Sequence, residues 1–570
     1  MRKRSKRIKL QKILFPVFVI LVIIPTFFID GNNYEPTTQS YPNAETHKDE
    51  EQSSDHTNTN VLQNSDADTT PSDETSIATS NRQTILLSDP KVETRRLTAG
   101  TIYSLSTDRL QKDTIYTIDI SNYEFSDFAL VWPSGDLKYS LTNSNSENEF
   151  HSVPIDDDIQ EFEENITSNL ISVDEKSYNF INIISNSDLL TLRIDLINPT
   201  PSDTLSSSRN VSATGTYNRD SGAKYTTLNI ISRDQWGASF SPDIDDPSRF
   251  TWEPAYHPVS RIVVHHTAGS NYPSDPAAVV RSIYLYHAET RGWGDIGYNY
   301  LIDHRGNIYE GKAGGDEVFA YHAFTEANAM SIGISLLGDF TYYNPTYAAQ
   351  SSLIKLMAEK AAFYNFDLKY SNGNLGKWLD SSYTVFGHRD TWFWCYEGHS
   401  SDYRCPSGDQ WIINATACPG DKLRNLLSST LTYQAQSYKN SHFSTMKSVI
   451  SKVESKMSNP HEQDKILVVF DLPETATENE VLSLIPSYSG ITDIYIEKNR
   501  ATILVRDWNN GGIIPPSGWD GYNAPGTFFP VAEGTDDRLE TLLKLFVLDP
   551  KIKSADLNYY KDLRKYENSQ

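Results

Sequence analysis

The strongest constraint on the fold is a set of short, dense segments between positions 225 and 432. They read "SRDQWGA", "RIVVHHTAG", "RGWGDIGYNYLIDHRGNIYEGKAGG", "SIGISLLGDF", "GHRD" and "TACPG". "RIVVHH" reads as a buried strand ending in two adjacent histidines. Side chains alternate along a strand, so only one of His265 and His266 can face a given site. "SDPAAVVRSIYLYHAE" reads as an amphipathic helix. Asp275 suits its N-cap, Pro276 its first turn, and Val279, Ile283 and Tyr286 one apolar stripe. "GYNYLID" and "GNIYEG" form a hairpin-like pair turning near 304–307, and "SIGISLLGDF" is a second buried strand. This region is mixed α/β.

The flanks have a different character. Positions 2–12 hold seven basic residues and no acid, and an apolar run follows at 13–29. Those 17 positions span roughly 25 Å as helix, against a bilayer core of about 30 Å. Residues 1–30 therefore read as a signal peptide or an N-terminal membrane anchor, with the basic side in the cytoplasm. Residues 31–85 carry ten acids, two bases and neither Phe nor Trp, the composition of a disordered acidic tether. From 86 to 200, short alternating runs such as "TIYTIDIS" and "LLTLRIDLI" suggest an all-β sandwich. A polar linker, 201–224, closes it. After a second linker at 433–464 with a short helix near 442–457, residues 465–562 follow the order β-α-β-β-α-β. Helices are expected at 478–484 and 537–546. That order suggests a small ferredoxin-like α+β domain, interrupted by a Gly/Pro/Trp-rich loop at 508–535. The chain is multidomain, with a central α/β domain at 225–432.

Composition narrows the function. A net charge of −24 argues against nucleic acid as a general partner, because phosphate binding needs a basic surface. Three cysteines in 570 residues are too few for a disulfide scaffold. The His and Cys residues of the central segment are candidate metal ligands, but CxxC and HExxH spacings are absent, so spacing alone is weak.

Together and in this order, the motifs resemble the peptidoglycan recognition protein / type 2 N-acetylmuramoyl-L-alanine amidase family, over about a third of the chain. The resemblance implies a zinc amidase domain, a mixed sheet flanked by helices, with a groove for peptidoglycan: glycan strand plus stem peptide. It implies Zn²⁺ ligands at His265, His388 and Cys418. It assigns Tyr298 as the catalytic tyrosine, stabilising an oxyanion or orienting water, and Thr416 as an oxyanion helper. His266 becomes a structural neighbour, and His322, Trp293 and Trp394 become substrate-binding positions. The implied reaction is hydrolysis of the amide between N-acetylmuramic acid and L-alanine, outside the membrane, at the cell surface or in the cell wall. The alternative on the same fold is a non-catalytic peptidoglycan-binding protein, which would tend to lose a ligand. In this frame the simplest use of the cysteines is a Cys395–Cys405 disulfide plus the Cys418 thiolate; the alternatives are three free thiols or a pairing of Cys418. Two departures stand out. Cys418 lies 30 positions after His388, beyond an aromatic insert that includes His399, which would substitute as a ligand if the insert displaced Cys418. Lys312 stands where relatives commonly carry Arg.

Overall fold

A computed structural model describes residues 83–559, apart from 202–225, 239–256, 372–381, 396–410, 506–535 and shorter stretches. The expected signal or anchor and nearly all of the tether lie outside the described residues, as do the linker 202–224 and the loop 508–535. Among the described residues no helix is long and apolar enough to cross a membrane.

Residues 84–198 form two sheets whose inner faces share one core. In one sheet Phe180–Ser185 lies antiparallel between Ile115–Asp119 and Leu137–Thr142. In the other, Leu189–Asn198 runs antiparallel between Gly100–Leu110 and Asp127–Trp132. Inward-facing Leu105, Leu130, Trp132, Leu192 and Leu196 meet Tyr116, Ile118, Ile181 and Ile183 of the facing sheet, as period-2 side chains should. The outer face of the second sheet is not given to water. Ile102, Ala129 and Ile197, on the opposite side of those strands, belong to another cluster that includes Val280, Ile283, Tyr284 and Leu285. The first three residues named are in the β module and the last four are in the central domain. The two therefore share a hydrophobic core.

The central domain is a six-stranded mixed sheet. Its order is Ile230–Ile231, Ile308–Glu310, Tyr300–Ile302, Ser331–Leu336, Arg261–His266, Val385–Gly387. All pairs are parallel except Tyr300–Ile302 with Ile308–Glu310. The turn of that antiparallel pair is held by Asp303, which accepts from the backbone N–H of Arg305 (2.8 Å) and Asn307 (2.9 Å) and from Tyr309 Oη (2.9 Å). The central strands are buried on both faces because helices cover both sides. One is Pro276–Leu285, capped by Asp275 through the Ala278 N–H; the other is Tyr347–Phe363, capped by Thr346. The first helix departs from the simple stripe expected of it. Val279 is only half-buried, whereas Val280, Ser282, Ile283, Tyr284 and Leu285 are all buried, because the β module closes over its outer face.

The C-terminal segment carries a four-stranded antiparallel sheet ordered Ile491–Glu497, Arg500–Val505, His461–Phe470, Ile552–Tyr559. Helices Glu478–Leu482 and Asp536–Leu548 connect it, the first with a capping box between Thr477 and Glu480. The 433–464 region differs from a linker. Thr432–His442 and Ser444–Met457 are consecutive helices. Met446, Ile450 and Val453 of the second enter the C-terminal core beside Phe363.

Because the β module and the central domain share buried apolar contacts, they should unfold together. Ile102→Ala is expected to cost about 2–5 kcal/mol and to lower a single melting transition seen by both far-UV circular dichroism and tryptophan fluorescence. Two separated transitions would contradict a shared core.

Candidate metal centre

The site forms where strand ends meet. Arg261–His266 pairs in parallel with Val385–Gly387, with Val264 opposite Gly387. The residues that follow, His265 and His388, therefore lie side by side, their rings 4.6 Å apart. Cys418 arrives from the far side of the insert. His265, His388 and Cys418 each offer one ligand atom, and these atoms lie within 4.8 Å of one another. All three residues are buried, and among the described residues this is the one such grouping.

Local bonding explains why the long insert does not scatter this cluster. The chain leaves along Phe393–Cys395 and returns along Trp411–Ile413, paired antiparallel, so the excursion begins and ends at one place. Thr416 Oγ1 then accepts from the Cys418 N–H (3.0 Å), and the Arg389 N–H donates to the Cys418 carbonyl (2.9 Å). Asp390 accepts from the Gly387 N–H (3.1 Å), from Arg424 Nε (2.8 Å) and from Tyr370 Oη, fixing the turn that presents His388. Gly387 is required there, since a Cβ would meet Pro419 Cδ at 2.9 Å.

A hydrogen-bond chain fixes the orientation of His265. Its Nε2 lies 3.1 Å from His322 Nδ1, and His322 Nε2 lies 3.2 Å from Ser331 Oγ. Ser331 Oγ donates to the Ala327 carbonyl (2.6 Å). With that hydroxyl proton committed, His322 Nε2–H donates to Ser331 and His322 Nδ1 accepts from His265 Nε2–H. Tautomers follow from such networks. The lone pair of His265 is then on Nδ1, the atom 3.6 Å from Cys418 Sγ. Gly333 makes room for this chain: a Cβ there would lie 2.4 Å from the His322 ring.

Burial holds these imidazoles neutral. It lowers His265 well below the ordinary histidine value, with His388, His322 and His266 adding to the effect. His388 falls to about 3, from burial first and the nearby His266 second. Neutral imidazole is the form that ligates metals. His266 points elsewhere, its Nδ1 accepting from the Phe340 N–H (3.2 Å), in keeping with strand alternation.

Tyr298 stands over the cluster, its ring 5.3 Å from that of His265. Its loop is pinned by Asp295, which accepts from Arg233 Nη1 (3.0 Å), from the Ile296 N–H (2.7 Å) and from the Ala313 N–H (2.9 Å). Lys312 donates its backbone N–H to the Tyr298 carbonyl (2.8 Å). Burial lowers the Lys312 ammonium to about 8, against the attraction of Asp295. Half-buried Trp293 lies against His287, ring centroids 4.7 Å apart. His322 was expected to line the groove; it is instead buried against His265 and Ser331. The side chains of Trp394 and Cys395, and all of Cys405 and His399, lie outside the described residues.

Sequence reasoning missed His287. Its Nδ1 accepts from the Gly297 N–H (3.0 Å), next to Tyr298, and its ring lies 5.5 Å from that tyrosine. It sits at the end of a helix read only for its apolar stripe. The support that Arg233, Asp295 and Ser331 lend the site was equally hidden, because each acts through a partner distant in sequence.

The N-acetylmuramoyl-L-alanine amidase family model matches residues 255–421. Peptidoglycan-recognition protein SC2 of Drosophila melanogaster is 31% identical over 211 residues, which is 36% of this chain and 89% of that protein. Peptidoglycan recognition protein 1 of Bos taurus is 33% identical over 171 residues, 30% of this chain and 78% of that protein. Among solved structures, the ectodomain complex of peptidoglycan recognition proteins LCa and LCx with tracheal cytotoxin matches at 23% identity and a TM-score of 0.26, covering 36% of this chain and 96% of that one. With about nine-tenths of the fly protein spanned at this level of identity, the chain belongs to the peptidoglycan recognition protein family.

Proposed function

We propose that this chain is a zinc-dependent N-acetylmuramoyl-L-alanine amidase that cleaves stem peptides from peptidoglycan at the cell surface or in the cell wall. The observation that carries the proposal is the buried cluster of His265, His388 and Cys418. Its donor set fits zinc. Two neutral imidazoles and one thiolate are three protein ligands of the kinds zinc takes in catalytic sites, where a fourth position serves water or substrate. Zinc held there would lower the pKa of water towards about 7 and act as a Lewis acid on a carbonyl oxygen. A purely recognising protein has no need of a complete three-donor set. The substrate class follows from the relatives, named for peptidoglycan recognition.

The chain's own residues would then divide the work. His322 and Ser331 hold His265 with Nδ1 turned to Cys418, in the manner of outer-shell partners that fix a ligating histidine. Thr416, through the Cys418 N–H, holds the thiolate's backbone. In this reading the Tyr298 hydroxyl would meet the reacting carbonyl. It stabilises the developing oxyanion or orients the attacking water. Water adds to the lactyl carbonyl carbon, the C–N bond breaks, and the amine leaves as the free N-terminus of the stem peptide. Trp293 offers a half-exposed aromatic face for the substrate, and the aromatic insert, including Trp394, would add another. In the same reading the flanking modules are a β-sandwich at 86–200 and a ferredoxin-like domain at 465–562. A Cys395–Cys405 disulfide would close the insert.

Incubated with peptidoglycan, the zinc-loaded protein should release stem peptides with a free N-terminal alanine, detected by mass spectrometry and abolished by a chelator. Tyr298→Phe should lower kcat by about 10²–10³-fold while zinc stays bound. Tight pelleting with the wall without peptide release would make the protein a binder. Gly333→Ala forces the His322 ring aside and should weaken zinc binding by about 10–100-fold. Unaltered zinc affinity in Gly333→Ala would remove His322 from its orienting role.

A further inference from the structure

The β module reaches the site through one short stretch of chain. Past the helix Pro276–Leu285, residues Tyr286–Thr290 widen into a π-turn, a local irregularity common near functional sites. The inner side of this turn carries His287, which accepts from the Gly297 N–H and packs against Trp293 and Tyr298. The turn's backbone also binds the loop that follows. Trp293 N–H donates to the His287 carbonyl (3.0 Å), and Gly294 N–H to the Ala288 carbonyl (3.2 Å).

The outer side is held by the β module. Tyr286 Oη lies 2.6 Å from Asp156 Oδ2 and 2.7 Å from the Ser168 carbonyl. Arg291 Nη1 donates to the same Asp156 oxygen at 2.8 Å. Arg193 donates to the Thr290 carbonyl (2.9 Å) and Arg95 to Glu289 (2.7 Å). One turn earlier, Ser282 Oγ donates to Asp127 (2.7 Å). The Arg291 side chain is fully buried, and its guanidinium carbon sits 5.0 Å over the Trp293 ring. Asp156 thus supplies the counter-charge for a buried guanidinium that itself carries Trp293.

We infer that Asp156 is a positioning residue for the site. By fixing Tyr286 and Arg291 it sets Trp293, His287 and, through Gly297, Tyr298 against the metal centre, so the β module is a working part of the site and not a spacer. The inference rests on the amidase reading for its catalytic consequence, but not for its geometry. A buried guanidinium that loses the charge of a carboxylate beside it is destabilised, and its displacement would carry Trp293 with it. A misplacement near 1 Å at a reacting group costs on the order of 10²-fold in rate. Asp156 acts through Tyr286 and Arg291, so zinc bound by His265, His388 and Cys418 should be retained.

The test compares Asp156→Asn and Asp156→Glu with Ile102→Ala, an apolar change in the same interface, all in the full zinc-loaded chain. Asp156→Asn is expected to lower kcat/KM for stem-peptide release by roughly 10–100-fold with one zinc retained, and Asp156→Glu to recover part of the loss. Ile102→Ala should lower the melting temperature and leave kcat/KM near wild type. Independently of activity, Asp156→Asn should shift the His287 ring and Trp293 indole NMR signals and leave those of His388 in place. Wild-type kcat/KM with unshifted His287 and Trp293 signals in Asp156→Asn would overturn the inference. If the wild-type protein releases no peptide, the amidase reading fails, and the two NMR signals still decide the positioning role.

Discussion

The parallel pairing of Arg261–His266 with Val385–Gly387 is the constraint on which the site depends. With Val264 opposite Gly387, the chain must deliver His265 and His388 to the same end of the sheet. Alternation then sends His266 to the Phe340 loop instead. A shift of one residue would exchange the two histidines and dismantle the cluster. Everything nearby serves that register. Gly333 admits His322, Gly387 admits Pro419, and Asp390 ties the turn after the strand to Arg424 and Tyr370.

Burial is what gives the arrangement its chemistry. Imidazoles in a dry interior lose their proton readily, as the depressed values of His265 and His388 record, and a neutral ring with a free lone pair is a ligand. The same dry surroundings demand that other polar groups be paired. Ser331, Thr416, Asp295 and Asp390 are accordingly all bonded. The β module extends this logic outward, because Asp156 stands beside the buried Arg291 that lies against Trp293.

The candidate donors were reached through the family resemblance, which local motifs carry, because their spacing alone is weak. "RIVVHH" announces its strand, Asp275-Pro276 announces a helix start, and "GHRD" and "TACPG" carry the remaining donors. The architecture of the β strands was legible through their alternation. What stayed hidden depends on distant pairing. Val280 and Leu285 look surplus to an amphipathic helix until a second sheet covers them. Asp156 lies in an irregular segment without periodicity, and nothing in its neighbourhood names Arg291 as its partner. Of the two helices in the 433–464 region, Ser444–Met457 lies where a short helix is expected, whereas Thr432–His442 reads as linker because it is largely polar and exposed. Only Thr432 and Ala435 of it are buried.

The central claim is that His265, His388 and Cys418 form one metal centre, and zinc binding tests it most directly. Metal-free full-length protein titrated with zinc and followed by native mass spectrometry should take up one ion per chain, and Cys418→Ser should lower that affinity by more than about 100-fold. Failure of the wild-type protein to bind zinc at micromolar concentration, or equal retention by Cys418→Ser, would contradict the account.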